Sequence, residues 1–207
     1  MDAIDVSERS VERAKEAAAG QGYSGRISYH VADAVSWLKA AAAGPGYDLV
    51  FFHASLHHVE NLEEVLRMTA SCLRGTPGLL YIDEYVGPSR DQWAAEHLGY
   101  ASSMYGRIPR EYRRSDFLAP PVAFDDPTEM IRSAEILNVL RAYFEILEYK
   151  PYYGNVVMPL VCGIPRAAIE QPAVREVIGK AMELEDFLIE KSLLDPLYAV
   201  VVAKPRR

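Results

Sequence analysis

The chain has 207 residues, half of them hydrophobic and a quarter charged, with a formal net charge of −7. That length allows one domain or two small ones, and the acidic balance excludes a binder of the nucleic-acid phosphate backbone, which needs a basic face. No apolar run reaches membrane-spanning length and no signal peptide precedes the first strand, while Cys72 and Cys162, far apart and without metal-ligand spacing, read as buried, reduced thiols of a cytoplasmic protein.

Met1 to Ser7 reads as a short buried strand that ends in the acidic Asp5 and runs into a helix. Ser7 is a good N-cap, Glu8 suits the first turn, and Val6 and Val11 fall at the two positions of a hydrophobic staple. Gly20 stops that helix. The alternation of Ile27, Tyr29 and Val31 predicts a strand over 26–32. Asp33 then caps a helix over 34–43, broken by Gly44-Pro45-Gly46. Tyr47 to Phe52 reads as a strand whose apolar run, Leu49 to Phe52, is as expected of a parallel strand covered on both faces.

A polar loop follows, His53-Ala54-Ser55-Leu56-His57-His58. Asn61 and Glu64 form a capping box for the next helix, which ends near Gly75. Leu79 to Asp83 is another strand. Strand and helix have alternated throughout, which means parallel strands with right-handed crossovers. In the second half, Ser89 and Gln92 predict a helix running to about Met104. A stretch with Arg107, Arg110, Arg113 and Arg114 is irregular, either a solvated loop or an anion-recognising one. Asp126-Pro127-Thr128-Glu129 predicts another helix start, with Pro127 at the favoured first position. The last strands are expected over 143–149 and 198–203, with a helical insert between them that aligns Val174, Val177, Ile178, Ala181 and Met182. Nothing marks a second domain, so residues 1–207 read as one unit: a first part to about residue 90, then substrate-side helices and the last two strands.

The acidic end of the first strand, Val31-Ala32-Asp33-Ala34, the strand and loop from Tyr47 to Val59, and the turn from Leu73 into the strand at Leu79 together resemble a class I S-adenosylmethionine-dependent methyltransferase, from that family's second motif onward. The resemblance covers roughly residues 1–90 well and the last strands more loosely. It implies a Rossmann-like methyltransferase fold, a mostly parallel α/β sheet flanked by helices, with its last strand antiparallel. It implies S-adenosylmethionine as cofactor, Asp5 at the ribose hydroxyls and Asp33 at the adenine amino group. Val6, Ala34, His53 and Ser55 would lie around the same molecule. Local alternatives stay open: Asp5 suits the following helix's positive end, Asp33 is a sound N-cap, and Val6 can serve the staple.

His57 and His58 are the candidate bases, since histidine titrates near neutral pH and their loop follows a strand's carboxyl end. Either could equally be a structural histidine. Glu84, with Tyr85, closes the next strand on the same rim and is a candidate to orient a substrate hydroxyl. A metal site built from the two histidines with Asp83 and Glu84 lacks any ligand spacing, so no metal is expected. The reading is methyl transfer to a small molecule, at oxygen. A non-catalytic remnant of the fold and a nicotinamide-dependent oxidoreductase are the alternatives.

One departure is clear. No Gly-rich turn precedes the acidic strand that ends at Asp5, although the family places a strand and a Gly-rich loop there. The chain is therefore expected to be truncated at its N-terminus. Two strand edges should then lack their shared neighbour, exposing backbone groups that favour self-association.

Overall fold

The structure is a computed structural model that describes residues 1–23, 25–73, 78–93, 98–122 and 126–206. Six strands and seven α-helices are described: β1 (Asp2–Asp5), α1 (Glu8–Gly20), β2 (Ser28–Val31), α2 (Ala34–Ala43), β3 (Leu49–His53), α3 (Leu62–Cys72), β4 (Leu79–Tyr85), α4 (Gly99–Tyr105), α5 (Ile136–Tyr143), β5 (Phe144–Tyr152), α6 (Val157–Cys162), α7 (Pro172–Glu190) and β6 (Tyr198–Pro205). The capping signals act as expected. Ser7, Asp33 and Asn61 each accept the backbone N–H three residues on, which satisfies one orphan donor of each helix.

The strands form two sheets. β1 and β2 pair in parallel, and β3-β4-β6-β5 form a mixed sheet. There β3 and β4 are parallel, and β6 runs antiparallel to both its neighbours. β1 and β3 thus each keep one unpaired edge among the described residues. The two sheets meet start to start: the Tyr47 hydroxyl, just ahead of β3, donates to Asp2 Oδ2 at 3.1 Å and accepts from Trp37 Nε1 at 3.2 Å.

One face of the larger sheet is well covered. Leu80, Ile82, Val201 and Ala203 point into a core with Leu38, Leu56, Leu62, Leu66, Ile136 and Leu140 from the loop and helices on that side. A second core joins α4, α6 and α7 through Met104, Tyr105, Leu160, Val174 and Ala181. No helix of the described residues is long and apolar enough to cross a membrane.

Several expectations need correction. β1 is not buried, and β3 is covered on one face only, with Leu49 and Phe51 each 57% exposed. Helices α2 and α3 pack on the opposite side, so the apolar run of β3 has no second cover. The staple does not form: Val11 is buried, but Val6 is 74% exposed. Cys162 is exposed, while Cys72 is buried. The Ser89–Gln92 contact exists as a bond from Ser89 N–H to Gln92 Oε1, yet a helix is described only from Gly99, and residues 94–97 of the predicted one lie outside the described residues. Asp126 to Glu129 is a turn rather than a helix start. The Asp126 carboxylate takes both the N–H and the hydroxyl of Thr128, closing a local ring that competes with helix. The helix begins later, at Ile136.

Candidate active site

The loop after β3 is shaped by a buried carboxylate. Ala54 sits at φ 46°, a left-handed conformation uncommon for a residue with a side chain. That turn aims the next two backbone N–H groups at Glu84, near the end of β4. Ser55 N and Leu56 N donate to Glu84 Oε1 at 2.5 and 2.7 Å. His57 Nδ1 lies 2.8 Å from Glu84 Oε2. Glu84 is 1% exposed, and a carboxylate so placed persists because hydrogen bonds compensate its desolvation. A carboxylate accepts only, so His57 donates from Nδ1, and Nε2 faces away from Glu84.

Glu84 therefore does not reach out toward an acceptor. It holds the histidine loop. His57 is buried and packs edge-on against Tyr85, with ring centroids 6.4 Å apart. His58 is more open, and its Nδ1 lies 3.0 Å from Thr128 Oγ1. The Nε2 atoms of both histidines turn toward Glu129, each 3.7 Å from one of its oxygens. Thr128 and Glu129 belong to this cluster although the sequence pattern there predicts only a helix start.

On the same rim, Tyr152 donates to Asp83 Oδ1 at 2.5 Å, and His53 Nδ1 lies 3.3 Å from Asp83 Oδ2. Tyr85, Tyr198 and Tyr152 pack in series with centroids 5.4 and 5.5 Å apart. Burial pushes the Tyr198 hydroxyl up to about 12, and burial first, then the Asp83 contact, raises Tyr152 further. Both are protonated donors at any ordinary pH. Beyond them opens an apolar cavity of about 300 Å³, walled by Tyr152, Tyr153, Val157, Met158, Val161 and Met182.

Asp5 and Asp33 stand at the same end of adjacent parallel strands, Asp5 pairing in register with Val31 and its carbonyl accepting Ala32 N–H at 3.0 Å. Each uses Oδ1 on the chain that follows, Asp5 for Ser7 N–H at 2.7 Å and Asp33 for Ser36 N–H at 2.9 Å. Each Oδ2 has no protein partner among the described residues. Val6 beside them is an exposed apolar side chain, and Ala34 is half-buried. His53 and Ser55 belong to the other sheet's rim, and Ser55 is committed to Glu84. Of the arginines after α4, Arg113 donates to the carbonyls of Gly106 and Ile108, and Arg110 pairs with Asp116, so these two serve the loop itself.

A two-stranded parallel sheet beside a mixed sheet with an antiparallel final strand, carrying acidic residues at the strands' carboxyl ends, defines an α/β protein of the methyltransferase class. Residues 2–139 match the family model described as "Methyltransferase domain", and the chain belongs to that family, whose cofactor is S-adenosylmethionine. Among curated proteins none matches the sequence. The chain is similar in fold to geranyl diphosphate C-methyltransferase from Streptomyces coelicolor A3(2), at 8% identity and a TM-score of 0.54, covering 99% of this chain and 62% of that one. It is also similar to a putative sarcosine dimethylglycine methyltransferase from Galdieria sulphuraria, at 11% identity and a TM-score of 0.50, covering 98% and 68%. A third similar fold is the [4+2]-cyclase SpnF, at 20% identity and a TM-score of 0.50, covering 98% and 64%. The chain thus spans about two thirds of the length of these structures. Their identities are low enough that they speak to fold alone, and the cyclase illustrates that a shared fold does not by itself name the reaction.

Proposed function

We propose that this domain transfers the methyl group of S-adenosylmethionine to a hydroxyl oxygen of a small, largely apolar acceptor, with His57 as the proton acceptor. The observation that carries this reading is the Glu84–His57 pair, which engages Nδ1 and leaves Nε2 as the ring's other nitrogen on the rim where open α/β sheets bind ligands. The bound cofactor would supply an activated methyl on its sulfonium. The free Oδ2 atoms of Asp5 and Asp33 suit the ribose hydroxyls and the adenine amino group. Val6 and Ala34 offer apolar contact to the ring, and His53 and Ser55 border the methionine side. His57 Nε2 takes the acceptor's proton as oxygen bonds to the methyl carbon and the carbon–sulfur bond breaks. Glu84 acts through His57, and His58 is a second acceptor of protons beside it. The aromatic-walled cavity next to Tyr152 would take the acceptor's apolar body. The open edges of β1 and β3 favour pairing with a second copy of the chain.

Transfer of isotopically labelled methyl from S-adenosylmethionine to a panel of small hydroxylated acceptors tests this. His57→Ala is expected to slow transfer by about 10²–10⁴-fold, the usual contribution of a positioned base. Transfer at the wild-type rate in that variant would remove the base assignment.

A further inference from the structure

The cluster formed by His57, His58 and Glu129 brings two imidazoles and a carboxylate from a distant turn to one point. We infer that it is a binding site for one divalent transition-metal ion, zinc being the best match. Among the described residues this is the one group of three such side chains whose ligand atoms lie within 4.8 Å of one another.

Glu84 fixes the proton of His57 on Nδ1. The Thr128 hydroxyl spends its own hydrogen on Asp126 Oδ1 at 2.6 Å, so its oxygen accepts from His58 Nδ1 at 3.0 Å. With Nδ1 so engaged, each imidazole turns Nε2 to one oxygen of the same carboxylate, and in its neutral form that Nε2 is a bare lone pair. In that form three acceptor groups face each other, an arrangement that a shared cation satisfies. The 3.7 Å separations are too long for an N–H···O hydrogen bond. They suit two atoms that share an ion at about 2.1 Å with an angle near 120°. Orientation of each ligating imidazole by a hydrogen bond from its other nitrogen is what metal sites require.

The backbone holds the parts together. Ile131 N–H donates to the His57 carbonyl at 3.1 Å, tying the Glu129 turn to the histidine loop. Met130 at φ 53° turns the chain there, and its carbonyl is held by Arg90 N–H at 2.9 Å. His57 is buried, while His58 and Glu129 are half-buried, so an ion can enter from solvent. Two imidazoles and one carboxylate leave at least one coordination position open, and imidazole-rich sets of this kind favour zinc over magnesium or calcium. Spacing along the chain could not disclose the site, since the carboxylate comes from a distant turn.

An ion at this position would occupy the same Nε2 that serves as base. An ion-loaded chain therefore has no base at His57, and because binding is read with neither cofactor nor acceptor present, its failure leaves the methyl-transfer reading standing. The test is calorimetric titration of the metal-stripped full chain with zinc chloride, with the visible spectrum of added cobalt(II) as a second readout. One ion per chain is expected, bound more tightly than about 10 μM. His58→Ala and the conservative Glu129→Gln should each weaken binding by more than about 100-fold, beyond the usual effect of losing an orienting partner. His53→Ala should leave it unchanged. Circular dichroism identifies any variant that fails to fold, and Glu129→Gln, on a surface turn, is the one least at risk. No saturable binding, or binding that survives both substitutions in folded protein, would overturn the inference.

Discussion

Glu84 offers the sharpest test of how the site is built, because two substitutions separate its structural task from its chemical one. In Glu84→Ala the N–H groups of Ser55 and Leu56 and the Nδ1–H of His57 all lose their acceptor in a buried setting. Breaking a buried, hydrogen-bonded charge typically costs about 3–5 kcal/mol. For a domain of this size that is a fall in Tm of roughly 10–15 °C. In Glu84→Gln the amide oxygen can still receive Ser55 and Leu56 N–H. Its NH2 must then face His57 Nδ1, which has to accept instead of donate, and the imidazole proton moves to Nε2. The expected stability loss is about 1–2 kcal/mol, one charge-assisted bond's worth, yet the base is lost because Nε2 no longer carries a free lone pair. The assay pairs thermal unfolding with long-range 15N–1H NMR of the histidine rings, which distinguishes the two tautomers directly. If His57 keeps its proton on Nδ1 in Glu84→Gln, or if Glu84→Ala melts like wild type, the orientation argument fails.

The pair of carboxylates around Arg132 should show in acid. Arg132 bonds Glu63 through both terminal nitrogens at 2.7 and 2.8 Å and holds that carboxyl at about 2, below its ordinary 4.5. The stability this contributes is present above pH 4.5 and lost as pH falls toward about 2. Because Glu63 is half exposed, the difference between wild type and Arg132→Met should be at most about 1 kcal/mol at neutral pH. Urea unfolding at several pH values checks it, and a difference that stays constant down to pH 2 would count against the pairing. The open face and edge of β3, with Leu49 and Phe51 exposed beside half-buried Leu79, Tyr81, Val200 and Val202, should drive concentration-dependent association in light scattering. Phe51→Lys should shift the chain toward monomer, and wild type that stays monomeric at all concentrations would contradict this.

The order of elements through β4 was legible because each helix start carries its own cap and each apolar run its own period. Asp33 and Asn61 act as caps just as local chemistry dictates. Coverage was not legible. The run Leu49–Phe52 reads as doubly buried, yet which faces are covered depends on which helices pack there, a property of the assembled layers. The Asp126 segment was misread for a related reason. An Asp two residues before Thr suits both a helix cap and a closed turn, and tertiary ties from Arg90 and His57 favour the turn. Within the site, His57 and His58 were visible as a pair, but their different roles depend on Glu84 and Thr128. Those partners come from other elements, and only the fold brings them together.

Whether Asp5 and Asp33 hold the adenosine end of S-adenosylmethionine is most directly tested by calorimetric titration with S-adenosylhomocysteine. Saturable binding to the wild-type chain is expected. Asp5→Ala and Asp33→Ala should each lose about 1–3 kcal/mol, roughly a 5- to 150-fold weaker Kd, with the fold intact. Undiminished affinity in both folded variants would place the cofactor elsewhere and contradict this assignment.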